Sequence, residues 1–553
     1  MGVGTRCPQK SGGKWGEMRR FSGFCLLVAL TSAVLGIGTS TNSFAGSDPL
    51  WVTHVNSYPG GISNGVRARL AAVGASASVS EPGAAVASPM SADVPLQNVQ
   101  ANTDCNPRRP QDETSVAFNV ASPLNAVAAA NDYCGSGFWI GRTADGGRTW
   151  ASQFKDPKTT TGDPCLGADP SVVYSARDAA FYLSTLCYSA SSPVSEVQVW
   201  KSIDGGATWT PSAKAAVAIT NRRSDGSVDG SLFYDKELLA VDNNPASSRY
   251  GRLYATFIKF HLLSPSGRSD YCPAQLAYTD AVPTADPSTA SWSHTAIVAD
   301  APGAKGVGDS ANQWAMPVVD DTGALDVSYV SEDCNLSLDR ALYFKRSTNG
   351  GASFGNRVQI NKAGQFRDNP SQQDRLPNKN ARIPISPSMT FNPVTRTLAY
   401  VYQNNINAAV SGADISFQQS SDYGAHWSNA KFISVTGSGA PAPNDQFFPW
   451  IAADDSGRLH VIWFDNRNDP EDTLIETFQA DSANDGATWS NQDISTAAWN
   501  PNDSFFSCGC FIGDYNGLAA SNLVLYPVWT DGRNTPGPPN GDTDIFANVE
   551  ISP

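Results

Sequence analysis

An all-β fold, a single β-propeller of four-stranded blades, is predicted by three observations in this 553-residue sequence. Five short turns share one plan, strand-like runs recur between them in one order, and the composition is rich in turn formers and poor in charge. The turns are Thr143-Ala-Asp145-Gly-Gly-Arg-Thr-Trp150, Ser202-Ile-Asp204-Gly-Gly-Ala-Thr-Trp209, Ser347-Thr-Asn349-Gly-Gly-Ala-Ser-Phe354, Ser420-Ser-Asp422-Tyr-Gly-Ala-His-Trp427 and Ser482-Ala-Asn-Asp485-Gly-Ala-Thr-Trp489. Each joins a hydroxyl, an acid or amide, a glycine and a closing aromatic, and the last is read with one extra residue ahead of Asp485. Asp-Gly and Asn-Gly favour hairpin turns, because glycine takes positive φ without steric cost. The acid can accept hydrogen bonds from backbone N–H groups of its own turn. One copy could arise in any loop; five in one chain are specific.

The spacing of the turns is a separate check. Their central positions, 145, 204, 349, 422 and 485, are separated by 59, 145, 73 and 63 residues. One gap is about twice the others, which predicts a unit whose turn has decayed. The expected place is Leu276-Ala-Tyr-Thr-Asp280, with Ser291-Trp292 further on. Strand-like runs fill the intervals, as in Ser171-Val-Val-Tyr174, Ala180-Phe-Tyr-Leu-Ser-Thr-Leu186 and Val197-Gln-Val-Trp200 ahead of the second turn. Four strands per unit make a propeller blade. Units are expected to begin near residues 114, 168, 234, 314, 386 and 448, and a seventh, without a turn of this kind, from Asp514. Seven blades are therefore favoured over six. The seventh unit lacks a fourth strand, which Val94-Pro-Leu-Gln-Asn-Val99 could supply.

Composition agrees with many short strands. Hydrophobic residues make up 41% and charged residues 16%, with 47 Gly and 36 Pro. Residues 1–45 are read as an export signal: Arg6, Lys10, Lys14, Arg19 and Arg20 precede an apolar run from Phe21 to Ile37, and Ser43-Phe44-Ala45 offers a small-residue cleavage site. The expectation is a secreted or periplasmic protein, cut after Ala45, with no later membrane span. Removing residues 1–45 takes the net charge from −14 to −18, which argues against nucleic acid as a partner. Residues 46–104, rich in Ala, Ser, Val, Pro and Gly, are expected to be a mobile leader without a packed core, and residues 105–553 the propeller. Eight cysteines lie beyond residue 45, and Cys105–Cys134, Cys165–Cys187 and Cys272–Cys334 are plausible disulfides, although spacing leaves the connectivity open. Cys508-Gly-Cys510 has neither a CxxC spacing nor a nearby His, so no metal site is assigned to it.

Through these five turns the chain resembles the sialidase-like family of Asp-box (BNR repeat) propellers, in which Asp145, Asp204, Asn349, Asp422 and Asp485 would be structural. In such a ring the turns lie on one rim, and the resemblance places an active site on the other. Blade links would bring Asp169, Asp235, Lys236, Glu237, Gln313, Arg382, Asp445, Gln446, Asp514 and Tyr515 there. Two Trp-x-Asp-x-Arg elements would add Asp465 with Arg467 and Asp531 with Arg533. The resemblance implies an exo-sialidase-like glycoside hydrolase: Arg382, Arg467 and Arg533 converging on a substrate carboxylate, with Asp514 beside them. Tyr515 would be the nucleophile, Glu237 its base and Asp235 the proton donor. The order departs from the family's, since Arg382-Ile-Pro384 follows three of the turns instead of preceding the first. The alternative is a non-catalytic scaffold that binds an extracellular glycan or glycoprotein; in that case each Asp–Arg pair neutralises its own loop. No cofactor is required and a monomer is expected, although Asp235, Asp445 and Asp514 near one channel could hold calcium. Gly61-Ile-Ser63-Asn-Gly65 matches a nucleophile-elbow pattern, but no strand precedes it and the match is read as coincidence.

Overall fold

The computed structural model describes residues 48–73, 97–211, 214–369, 374–504, 511–535 and 541–551. The export signal and the Cys508/Cys510 pair lie outside the described residues. Within them the chain forms seven antiparallel sheets. Blade 1 runs through Gln111–Asn119, Ser122–Asp132, Phe138–Thr143 and Ala151–Lys155. The innermost strands of blades 2 to 7 are Ser171–Ser175, Leu232–Val241, Asn312–Val319, Ser388–Asn392, Gln446–Ala453 and Gly517–Ala520, each within a few residues of the start expected from the repeat.

The ring closes through the chain's own early segment. Asn98–Gln100 adds to the outer edge of blade 7, with Val99 opposite Ala547 in antiparallel register. Without this strand Asp544–Asn548 would present an open edge. Inner-strand serines tie successive blades together: Ser115 Oγ accepts from Val172 N–H at 3.0 Å, Ser171 Oγ from Leu239 N–H at 3.0 Å, and Ser388 Oγ from Ile451 N–H at 3.2 Å. Apolar side chains pack between facing sheets instead of around one centre. Trp200 of blade 2, for example, meets Phe138 of blade 1 edge-on at 5.4 Å. Cys105–Cys134, Cys165–Cys187 and Cys272–Cys334 are disulfide-bonded. No helix among the described residues is long and apolar enough to cross a membrane.

The acidic turns share one hydrogen-bond pattern. Asp204 accepts from Thr208 N–H at 2.8 Å, Thr208 Oγ1 at 2.6 Å and Ser202 Oγ at 2.9 Å, while Ser202 Oγ accepts from Gly206 N–H at 3.0 Å. Gly206 has φ +85°, and a Cβ there would meet Val127 at 2.5 Å, so the turn presses its glycine onto blade 1. Asp145, Asn349 and Asp422 repeat the pattern.

The fifth turn corrects the sequence reading. Here Asn484, not Asp485, accepts from Thr488 N–H at 2.9 Å and from Ser482 Oγ at 3.0 Å, so no extra residue is present. Asp485 takes the next position at φ 53°, where the other turns have Gly146, Gly205, Gly350 or Tyr423, all with positive φ. Its carboxylate instead reaches blade 5 and accepts from Asn392, Thr395 and Thr397 at 2.9–3.0 Å. An Asp tolerates this left-handed backbone better than most side chains.

Residues 48–73 correct a second expectation. They form two helices, α1 (Leu50–Ser57) and α2 (Asn64–Val73), separated by Pro59-Gly60-Gly61. Trp51, Val55, Ile62 and Val66 are buried against the ring, so this part of the leader is packed. The segment's own sequence does not reveal this, because the surface that buries these side chains belongs to the blades.

Candidate functional site

The chemistry gathers at the heads of the inner strands. Four of these strands carry a bulge there, with register shifts between Asp112 and Ser115, Asp235 and Leu238, Gln313 and Met316, and Phe447 and Trp450. The bulged residues Glu113, Lys236, Trp314 and Phe448 have φ between 53° and 59°, and Asp169, just ahead of the blade 2 strand, has φ 55°. Non-glycine residues rarely adopt this conformation. A bulge re-aims the side chain it carries, and here it directs Glu113, Lys236 and Trp314 together.

Lys236 is the hub. Its Nζ lies 3.4 Å from Glu113 Oε1 and 3.9 Å from Asp169 Oδ2, 3.9 Å from the centre of the Tyr515 ring and 4.2 Å from that of Trp314. The two rings meet edge to face at 5.8 Å. An ammonium held between two ring faces and two carboxylates is stabilised by cation–π and Coulomb attraction together, and Lys236 is pushed above the usual lysine range by Asp169, Glu113 and Asp514 against the effect of burial. Asn131 braces the acids from blade 1, donating through Nδ2 to Glu113 Oε2 at 2.7 Å and to Asp112 Oδ1 at 3.0 Å. Its Oδ1 accepts from Asp169 N–H at 2.9 Å.

The surrounding carboxyls hold their protons tightly, chiefly because burial disfavours charge. Asp112 and Asp235 are each pushed up to about 7, and Glu113 and Glu237 well above the usual range; Asp169 adds to the rise in Glu113, Asp235 and Glu237. Neither Glu237 carboxyl oxygen has a hydrogen-bond partner in another residue. Asp514 is raised by burial, while Arg382 and Lys236 pull it back.

The sequence-predicted residues divide into two sets. Asp235, Glu237, Asp514 and Tyr515 surround Lys236, and Arg382 joins them from the next blades, with Nε 3.2 Å from Asp374 Oδ2 and Nη1 3.9 Å from Asp514 Oδ2. Arg467 and Arg533 do not join Arg382. Arg467 is held in its own loop by Asp465 at 2.7 Å and stacks on Phe478, and Arg533 is held by Asp531 at 2.7 Å and stacks on Phe546. Their outer nitrogens reach neighbouring segments, Val435 O at 3.0 Å and Thr496 Oγ1 at 2.7 Å, so each pair staples blades. The calcium trio does not assemble either. Asp445 accepts from Lys379 Nζ at 2.8 Å and from Ala413 N–H, Asp235 from Ser63 N–H, and Asp514 faces Arg382. Tyr515 is a poor anion here: burial, then Glu113, Asp169, Glu237 and Asp112, push its phenol well above 10.

Sequence reasoning missed Asp112, Glu113, Asn131, Trp314 and Glu332. Aligning the inner strands by their heads would have placed Glu113 and Trp314 level with Lys236, which is the one signal the sequence holds. It also missed what covers the centre. Ser63 N–H donates to Asp235 Oδ2 at 2.8 Å and Gly61 N–H to Glu332 Oε1 at 3.4 Å, while Gln313 Nε2 donates back to Gly61 O at 2.5 Å. The Gly61–Gly65 stretch thus lies on the site, yet Ser63 follows no strand.

No family model matches the chain, and no curated protein matches it significantly. Solved structures do resemble it. A protein of unknown function from Dyadobacter fermentans is 12% identical over 70% of this chain and 95% of its own, with a TM-score of 0.43. A leech intramolecular trans-sialidase is 11% identical over 67% of each chain at 0.43. An α-L-arabinofuranosidase from Fusarium graminearum is 10% identical over 66% of this chain and 92% of its own at 0.41.

Proposed function

We propose that this chain is an exported glycan-acting propeller, a glycoside hydrolase whose centre is the carboxyl-rich mouth, and that its acidic turns are Asp boxes of the sialidase-like type. The observation that carries the reading is the group of buried carboxyls around Lys236, with proton affinities raised to about 7 at Asp112 and Asp235. Glycoside hydrolysis needs one carboxyl that keeps its proton near neutral pH beside another that is ionised. Glu237, unpartnered and strongly raised, suits the acid role, and Lys236 and Arg382 favour ionisation of Asp514. Tyr515, held as a phenol, would donate a hydrogen bond instead of attacking.

The charge balance narrows the substrate. Asp112, Glu113, Asp169, Asp235, Glu237, Glu332 and Asp514 outnumber Lys236 and Arg382, and the two other candidate arginines are already neutralised. Because Lys236 and Arg382 already face carboxylates, such a centre leaves no free cation for an anionic sugar and favours a neutral one rich in hydroxyl groups. The test is a panel of fluorogenic neutral glycosides and a sialoside, offered to the wild type and to Glu237→Gln. A neutral glycoside turned over by the wild type and at least 100-fold more slowly by the variant supports the reading. A preference for the sialoside, or equal rates in both proteins, overturns it. The scaffold alternative is favoured by the Asp465–Arg467 and Asp531–Arg533 pairs, and it predicts glycan binding without turnover.

A further inference from the structure

We propose that residues 49–72 are an autoinhibitory plug: the Gly60–Gly65 stretch stands where the ligand binds, and the centre is reached only when α1 and α2 undock. This rests on reading the mouth as the working site. The plug meets the centre through its backbone. Its donors to Asp235 and Glu332 are the N–H groups of Ser63 and Gly61, and its acceptor for Gln313 is the Gly61 carbonyl. A hydroxyl-rich chain could replace these bonds one for one. A Cβ on Gly65 would lie 3.1 Å from Glu113 Oε2 and 3.2 Å from Asp169 Oδ1, so the segment seats on the acids that face Lys236, and with it docked Lys236, Glu237 and Tyr515 are at most 2% exposed.

The plug also fills the mouth poorly. Both oxygens of Glu237 and Tyr515 Oη are buried without a hydrogen-bond partner in another residue. Buried polar groups are normally satisfied, so a ligand that pairs them competes well with the segment covering them.

Its attachment suits release. Residues 48–73 pair with no strand of the ring and hold no cysteine, so undocking breaks no β-ladder and no disulfide. The anchors are side chains that reach carbonyls and rings of the blades. Arg69 donates to the carbonyls of Asp132, Gly135 and Gly137 at 2.5, 3.0 and 2.7 Å and sits 4.3 Å over Tyr133. Trp51 packs between Tyr188 and Phe233, at 5.2 and 5.5 Å. His54 contacts Gly267 O at 2.9 Å. A segment held by a few side chains opens locally more readily than the ladders beneath it. Gly61 offers a handle: its φ is +87°, and a Cβ there would lie 2.0 Å from Cys334 O, so a side chain at 61 is incompatible with docking.

The test uses the full chain as wild type, Gly61→Val and Arg69→Met, and needs no substrate. Amide hydrogen exchange compares residues 50–66 with the inner strands, and carbodiimide coupling of a small amine to carboxyl groups, followed by mass spectrometry, reports access to Asp235 and Glu237. In the wild type the 50–66 amides should exchange at least 100-fold faster than those of the inner strands. In Gly61→Val, Asp235 and Glu237 should label at least tenfold faster while the inner strands stay protected; Arg69→Met should do the same, and serves if the first variant loses the ring. Equal protection of plug and inner strands overturns the proposal. So does slow labelling of Asp235 and Glu237 in a variant whose 50–66 amides exchange freely. Fast labelling with no glycan bound or cleaved would leave the plug standing and remove the glycan reading alone.

Discussion

Replacing Lys236 with Met removes the one cation among the described residues that lies within 4 Å of Glu113 and Asp169, keeping most of the volume between Trp314 and Tyr515. At pH 8 the lost ammonium leaves two carboxylates, 3.4 and 3.9 Å away, in a site where both are 0% exposed. Breaking a buried ion pair from one side costs about 3–5 kcal/mol, and a desolvated cation–π contact adds about 2 kcal/mol. Stability cannot fall by that whole sum, because Glu113 can take up a proton instead. That escape becomes cheaper by about 1.4 kcal/mol for each pH unit below its proton affinity, which is already raised. A loss of about 3–5 kcal/mol at pH 8 that shrinks to about 1–2 kcal/mol at pH 5 is therefore expected. With an unfolding entropy near 2 cal/mol/K per residue, roughly 440 ring residues lose about 1 °C of Tm per kcal/mol. Scanning calorimetry of both proteins should show about 3–5 °C between them at pH 8 and at most about 2 °C at pH 5. An equal gap at both values would mean that the acids are not the lysine's partners, and no gap at either would remove Lys236 as the hub.

Two further predictions follow from the same geometry. Asp235 is raised from 3.8 to about 7, so its stabilising contribution is complete below pH 4 and is lost as pH rises through 7; Asp235→Asn should match the wild type at pH 4 and exceed it by a few kcal/mol at pH 8, and an advantage confined to low pH would contradict the sign. In the fifth turn, Asn484→Ala should cost about 1–2 kcal/mol and free the Thr488 amide to exchange, whereas Asp485→Ala should expose the Thr397 hydroxyl on blade 5 and leave the Thr488 amide protected; the reverse pattern by hydrogen exchange and NMR would restore Asp485 to the turn.

Much of the fold is written locally. The Asp-Gly and Asn-Gly turns specify hairpins through the φ of single residues, and the gap between Asp204 and Asn349 reveals the third blade although its turn has become the Asp280–Trp292 insertion. The Asp–Arg staples were also open to reading: an Asp two residues before Arg467 and Arg533 can reach each guanidinium within one loop, against any convergence with Arg382. The fifth turn shows the limit of local reading. Asn484 and Asp485 both suit the acidic position, and only the backbone, left-handed at 485, decides between them.

By itself, then, the sequence determined that the chain forms a ring of four-stranded blades and favoured seven over six, because these follow from turn chemistry and alternation between neighbours in the chain. The tertiary structure alone decided the centre and its cover. Glu113, Asp169, Lys236, Trp314 and Tyr515 come from five blades and meet only when seven inner strands converge on one axis. Trp51, Val55, Ile62 and Val66 are too few to predict a packed element, since the surface that buries them does not exist until the ring has closed.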